Sequence, residues 1–302
     1  MNTRTAVITG ASAGLGLECA RALLAADPTW HVVLAVRDVR RGSDAVAQLG
    51  RPDRCTVLEV DLASLSSVRS FVDAVRAAPL PPLHAIVCNA GVQVVSGTEK
   101  TAEGVEMTFG VNHLGHFALV QGLLDGLARP ARIVVVSSGT HDPAKFTGMP
   151  SPNYTTAADI ADPADITDAA EGRRRYTTSK LCNVLFTYEL DRRLGHGARG
   201  VTVTAFDPGL MPGSGLARDY SAAGRWAWRY LFPALRVLPG VNSTRTSGRR
   251  LAALVHDDRF DAVTGAYVAG GRQIPSSKES HDRAKARDLW ETSEALLSHA
   301  RK

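Results

Sequence analysis

Tyr176 and Lys180, in the run Tyr176-Thr177-Thr178-Ser179-Lys180, are the residues whose types and spacing speak most directly of chemistry. On a helix, residues four apart share one face, so an ammonium stands beside a phenol. An unperturbed tyrosine ionises only near pH ~10. A neighbouring cation favours the phenolate, and reaching neutrality takes roughly 4 kcal/mol of differential stabilisation. Such a pair would give and take a proton at neutral pH. The spacing recurs by chance, so its weight comes from its company. A glycine-rich turn, Thr9-Gly10-Ala11-Ser12-Ala13-Gly14-Leu15-Gly16, stands near the start of the chain, and Ser137-Ser138 closes an apolar run.

The turn joins an apolar strand to a helix. Glycines let the backbone bend tightly and approach a pyrophosphate, while the helix N-terminus faces the anion. The spacing is Gly-x-x-x-Gly-x-Gly rather than Gly-x-Gly-x-x-Gly. Cofactor choice is read at the end of the second strand, where an acidic residue would hold the ribose 2′-hydroxyl of NAD. Here Val36 is followed by Arg37. A guanidinium suits a 2′-phosphate and points to NADPH/NADP+. Asp38 stands ready to neutralise Arg37 in part. Asp61-Leu62 and Asn89-Ala90-Gly91 fall at carboxyl ends of further strands, where ligands bind in open α/β sheets. Asp61 is expected to accept from an adenine amine and Leu62 to lie against its ring.

The elements that must position these residues alternate. Strands are expected at Ala6 to Thr9, His31 to Val36, Thr56 to Val60, Ala85 to Cys88, Ile133 to Val136 and Val201 to Ala205. Helices are expected at Leu15 to Ala26, Arg40 to Leu49, Leu65 to Ala77, Gly104 to Leu127 and Tyr176 to Leu194. The run Ile133 to Val136 is apolar and β-branched throughout, the mark of a strand buried on both faces. Alternation of this kind implies a doubly wound α/β fold of the Rossmann type, with about seven parallel strands. One domain is expected over 1–302, with no internal repeat. Polar, proline-bearing Gly139 to Arg175 reads as a long loop over the site. Residues 213–240, with Trp226, Trp228, Tyr230, Phe232 and Leu235, read as an aromatic lid. Contact with substrate, with a partner subunit or with a membrane surface all remain open for that lid. A C-terminal extension covers 272–302.

Composition narrows the classes. A hydrophobic content of 44% supplies a full core, and a formal charge of +5 over 302 residues is modest. The basic residues are mostly Arg and scattered, which fits a solvated surface with anion-binding positions and not a nucleic-acid footprint. The arginine bias hints at a GC-rich bacterial genome. Cys19, Cys55, Cys88 and Cys182 form no Cys-x-x-Cys pair, so neither a disulfide framework nor a zinc site is suggested. No secretory signal precedes the first strand. No uncharged apolar run reaches the ~18 residues of a membrane span. A cytoplasmic protein with a small-molecule substrate is expected. His113, His116 and His141 lack metal spacing and read as structural. Tyr154 also begins Tyr-Thr-Thr, but Ala158 stands where a cation would be needed.

Taken together, Thr9-Gly10-x-x-x-Gly14-x-Gly16, Asp61, Asn89-Ala90-Gly91, Asn112, Ser138, Tyr176, Lys180 and Pro208-Gly209 resemble the short-chain dehydrogenase/reductase superfamily over nearly the whole chain. The resemblance implies that Tyr176 moves the proton, that Lys180 assists it and holds the nicotinamide ribose, and that Ser138 polarises the carbonyl. Asn112 is implied to hold a water linking Lys180 to solvent. The cofactor contacts so implied are Gly10, Ser12, Ala13, Gly14, Leu15, Gly16, Arg37, Asp61, Leu62, Asn89, Ala90, Gly91, Tyr176, Lys180, Pro208, Gly209 and Met211. The 38-residue step from Ser138 to Tyr176 is longer than in common members.

Within the superfamily the chain is similar to protochlorophyllide reductases and retinol-dehydrogenase-like proteins. The stretches Val111 to Phe117, Asp61 to Leu65, Ser179 to Asn183 and Asp282 to Leu296 carry this. Light-dependent members have a cysteine directly after Pro-Gly, where this chain has Leu210. The resemblance permits a monomer, dimer or tetramer. Three functions follow: NADPH-dependent interconversion of a carbonyl and an alcohol on a fairly apolar substrate, C=C reduction of a conjugated ring, and an idle NADPH-binding sensor. The intact Ser138, Tyr176 and Lys180 speak against the last.

Overall fold

The computed structural model describes residues 3–165, 168–211 and 241–300. Its centre is one eight-stranded sheet of order β3-β2-β1-β4-β5-β6-β7-β8. The strands are β1 (Arg4–Thr9), β2 (Trp30–Val36), β3 (Cys55–Glu59), β4 (Leu83–Cys88), β5 (Leu127–Val136), β6 (Val201–Asp207), β7 (Ala266–Ala269) and β8 (Arg272–Ile274). The first seven are parallel, as expected. The short β8 pairs antiparallel with β7, and neither had a counterpart among the six strands placed from sequence. The chain steps outward from β1 to β3 and then returns to lay β4 beside β1. Between β1 and β4 the winding direction reverses, and in such sheets ligands bind at that switch point.

Helices cover both faces: α1 (Gly14–Ala26), α2 (Val39–Leu49), α3 (Leu65–Ala77), α4 (residues 107–123), α5 (Ala157–Ala161), α6 (Ala169–Arg193), α7 (Thr244–His256) and α8 (Arg283–His299). Alternate residues of a strand point to opposite faces, and both faces here are dry. Val7, Val33, Ile86, Ile133 and Val203 face Phe71, Phe117, Leu119, Leu185 and Phe186 from α3, α4 and α6. Ala6, Ile8, Val32, Leu34 and Val134 face Leu17, Leu23, Leu251 and Val255 from α1 and α7. Fully burying one such side chain contributes about 1.5–3 kcal/mol.

Three boundaries depart from expectation. The helix expected from Gly104 starts at Met107, because Gly104 has φ +78° and the buried Glu106 carboxylate caps the helix at Thr108 and Phe109. It stops before Leu127, which opens β5. The helix expected from Tyr176 begins at Ala169, with Asp168 accepting from the Ala170 N–H. The polar run Arg173 to Arg175 hid this first stretch, so the expected loop before Tyr176 is shorter and also contains α5.

Candidate active site

Register collects the site on one rim. Ile8 pairs with Val87, Cys88 with Val135, and Val136 with Phe206. The residues that follow, Gly10, Asn89, Ser137-Ser138 and Pro208-Gly209, therefore leave the sheet side by side at its carboxyl edge.

The turn after β1 is built for close approach. Gly10 and Gly14 have φ +66° and +58°, the left-handed region that glycine occupies without strain. At Gly16 a Cβ would stand 2.7 Å from the Gly10 carbonyl oxygen and 2.6 Å from Asn89 Nδ2. Helix α1 begins behind Ala13 with no side-chain cap and no acidic residue in its first turn. By contrast α2, α3, α6, α7 and α8 are capped by Asp38, Ser64, Asp168, Ser243 and Asp282. The leading N–H groups of α1, beside Ser12 and Leu15, are left for an anion. The residues present fit a dinucleotide.

Above this turn lies a cavity of about 320 Å³ lined by Ser12, Ala13, Gly14, Leu17 and Arg41, with Asp44 and Gln48. Arg37 is exposed directly after β2. The Asp38 carboxylate accepts through Oδ1 from Arg40 N and Arg41 N, at 2.9 and 3.2 Å, as the cap of α2. Arg41 was missed in the sequence. The signal was there, since Arg41 lies four residues beyond Arg37, in the first turn of α2.

Thr9 fastens the two central strands. Its hydroxyl oxygen accepts from Asn89 N (2.8 Å) and Ala90 N (2.9 Å), and its carbonyl accepts from Asn89 Nδ2 (2.7 Å). The Asn89 side chain thus ties strand ends together. Asp61 Oδ1 accepts from Ala63 N at 2.9 Å, and Leu62 is buried against Gly115.

Helix α6 carries Tyr176 and Lys180, both buried, with the ammonium 5.4 Å from the ring centroid. Three hydrogen bonds fix the helix to the end of β5. Lys180 Nζ and Asn183 Nδ2 donate to the Val136 carbonyl at 3.3 and 3.0 Å, and Ser137 Oγ donates to the Lys180 carbonyl at 2.8 Å. Burial brings the Lys180 ammonium down to about 8.

Asn112 sits in a π-helical stretch, Gly110–Leu114, inside α4. Such wide turns gather at functional sites. Its Oδ1 accepts from Val92 N (2.7 Å), while Nδ2 donates to Val92 O and Ser179 Oγ (2.9 Å each). Both amide hydrogens are committed. The Asn112 carbonyl accepts from His116 Nδ1 at 3.1 Å. With Nδ1 protonated, His116 Nε2 accepts from the Thr9 hydroxyl at 2.9 Å. His116 therefore links Asn112 to the glycine turn.

Ser137 and Ser138 part company. Ser137 is buried and spent on α6, whereas Ser138 is partly exposed and opens a short 3₁₀ turn, its Oγ accepting from Thr140 N at 3.3 Å. Behind it His141, fully buried, donates from Nδ1 to the Ser138 carbonyl at 2.7 Å and accepts at Nε2 from Ser277 N at 3.1 Å. Tyr267 packs on His141 at 4.7 Å and donates to Asp207 Oδ2 at 2.9 Å. Asp207 also accepts from Gly209 N at 2.9 Å, fixing the Pro208-Gly209 turn. Met211 closes this turn, next to the exposed Leu210.

His113 is buried and pushed down to about 3 by desolvation, and His116 to about 4. His113 bonds Ser293 on α8 at 2.9 Å. Tyr154 stands apart from the site, donating to Asp288 on α8 at 2.8 Å. The aromatic lid at 213–240 lies outside the described residues. Among the described residues no helix is long and apolar enough to cross a membrane.

A doubly wound parallel sheet with a glycine turn at its switch point is the architecture of the dinucleotide-binding α/β proteins. A family model described as short chain dehydrogenase matches residues 4–157. The chain belongs to the short-chain dehydrogenase/reductase superfamily, oxidoreductases that use nicotinamide cofactors. It is similar to a protochlorophyllide reductase of Avena sativa, 38% identical over 97% of this chain and 99% of that protein. A crystal structure of an uncharacterized protein from Mycobacterium Paratuberculosis aligns with TM-score 0.72 and 30% identity over 98% of this chain and 94% of that one. A blue fluorescent protein from a metagenomic library, solved with NADPH, shares the fold: TM-score 0.66, 23% identity, 89% of this chain and 96% of that one.

Proposed function

We propose that this protein is an NADPH-dependent reductase interconverting a carbonyl and an alcohol on a fairly apolar substrate. The observation that carries this is the Tyr176–Lys180 pair, buried on one helix face and pinned to the strand that ends in Ser138. NADPH, when bound, supplies hydride to the carbonyl carbon. Tyr176 delivers the proton to the oxygen, and Ser138 orients that oxygen by donating to it. The Lys180 ammonium, 5.4 Å from the Tyr176 ring centroid, favours the phenolate. Lys180 also reaches the nicotinamide ribose, and Asn112 keeps Val92 and Ser179 in place around it. The leading N–H groups of α1 hold the pyrophosphate, and Arg37 with Arg41 frames the 2′-phosphate. Asp61 and Leu62 border the adenine, Asn89-Ala90-Gly91 forms the cofactor wall, and Pro208, Gly209 and Met211 flank the nicotinamide.

The likeness to protochlorophyllide reductases favours a second reading, C=C reduction of a conjugated ring. Leu210 counts against it. The side chain after Pro208-Gly209 is apolar and 44% exposed, and it can donate no proton where light-dependent relatives present a thiol. NADPH oxidation with a panel of ketones and enones separates these readings. Protochlorophyllide with NADPH, in light and in darkness, completes the test. Ketone turnover in darkness is expected. Chlorophyllide formed only under illumination would promote the second reading, and NADPH binding without any turnover would leave a sensor.

A further inference from the structure

The segment that follows Gly91 runs along the face of α6 that carries the reactive pair. Gly172, Tyr176, Ser179 and Lys180 share that face by helical spacing. A Cβ on Gly91 would lie 3.6 Å from Lys180 Nζ. Val92 is held by Asn112, which in turn holds Ser179. Two residues on, the Val94 carbonyl oxygen lies 2.6 Å from where a Cβ on Gly172 would stand. Gln93 is therefore set between the levels of Ser179 and Gly172, which is the level of Tyr176.

Gln93 is only 5% exposed, yet neither its amide nitrogen nor its amide oxygen has a hydrogen-bond partner. Among the described residues no other buried side chain leaves two separate polar atoms unpaired. Buried polar groups are nearly always paired, because an unpaired one forfeits its hydration for nothing. An exception in the segment that flanks the Tyr176-bearing helix is best explained by a ligand that completes it.

Resting on the carbonyl-reductase reading, we infer that Gln93 is a specificity residue of the substrate pocket. It recognises a paired acceptor and donor, as in a carboxamide or lactam, carried by the carbonyl substrate. One planar amide facing another satisfies both ends at once, and a site built this way rejects analogues lacking the group far more strongly than a purely apolar wall does.

The test compares isosteric ketones, 3-oxobutanamide against 4-methylpentan-2-one, and homologues with one to three more methylenes between ketone and amide. Wild-type protein should prefer an amide-bearing member. In Gln93→Leu the ratio of kcat/KM for that amide over its isostere should fall ten- to a hundredfold. The melting temperature without substrate should hold or rise, since the variant removes an unpaired buried amide. An unchanged ratio would overturn the inference, as would a fall of several degrees in melting temperature, which would reveal a structural partner for Gln93. Wild-type protein that binds NADPH but reduces no ketone of the series would sink the carbonyl reading instead. The melting temperatures of Gln93→Leu and wild type would then still decide whether this amide is unpaired in the folded protein.

Discussion

Along the rim, the half formed by β1, β2 and β4 and the half formed by β5, β6 and β7 are assembled differently. In the first, Gly10, Gly14, Gly16, Arg37 and Asn89 come from short strand-end motifs, and Thr9 ties the Asn89 turn to the glycine turn. In the second, Ser138 takes its backbone position from His141, which leans on Ser277, 136 residues further along the chain. Asp207 and Tyr267 brace the same corner from two more strands. The first half is built from short motifs joined at a single residue, Thr9, and the second from supports gathered along the chain. A cofactor shared by many enzymes suits a local device. A substrate particular to one enzyme suits a surface gathered from separate segments, because each can change alone.

The sharpest way to break this comparison is at the junction of the halves. Tyr176→Phe keeps the ring and removes the transferable proton. Turnover should fall by about a hundred- to ten-thousandfold, while calorimetry finds NADPH binding nearly unaltered. Ordinary turnover in this variant would mean that the proton comes from elsewhere.

A second measurement concerns the stitch between the halves. His113 and His116 are held well below the ordinary 6.5 by burial, at about 3 and about 4. As pH falls, the unfolded chain takes up these protons first. Stability is therefore full above pH ~6.5 and declines toward pH ~4. Between pH 7.5 and 5.0 the two rings should cost on the order of 4 kcal/mol, read from urea midpoints. A flat stability profile would show that the rings are charged in the folded protein.

Within the β1–β4 half, Arg37→Ala and Arg41→Ala should each weaken NADPH roughly ten- to a hundredfold and leave NADH nearly untouched. Equal losses for both cofactors would remove the 2′-phosphate from the account. The smallest expected effect lies at Lys180. Its ammonium, brought down to about 8, is lost as pH rises through that value. NADPH affinity should drop up to about tenfold between pH 7 and 9. Lys180→Met should flatten that profile and also lower turnover. A profile that persists in the variant would assign the titration to another group.

The same contrast explains what the sequence disclosed. The glycine turn, the Tyr–Lys pair and the Ser-Ser step are visible because each is a short motif between elements of clear period. Six of the seven parallel strands follow from apolar, largely β-branched runs bounded by turns, whereas Ala266–Ala269 offers no such run. Arg41 escaped notice although its spacing from Arg37 carried the signal. His141, Tyr267 and Gln93 had no such signal. Their roles come from contacts across the fold, and a lone polar residue in an apolar stretch looks the same whether it is satisfied or waiting for a ligand. The early start of α6 was concealed for a related reason: three successive arginines obscure a helical period that packing and the Asp168 cap make real.

One hydroxyl has a consequence for motion. Thr9 Oγ accepts the amide hydrogens of Asn89 and Ala90 and engages His116 from α4. Neither amide can be released without opening the point where β1, β4 and α4 meet. Their exchange with deuterium should be slow, alike and sensitive to substitutions at His116, reporting a single cooperative opening. The glycine turn and the helix bearing Asn112 then loosen together or not at all. Access to the dinucleotide cradle would be governed by the outer loops, while this junction behaves as one rigid body.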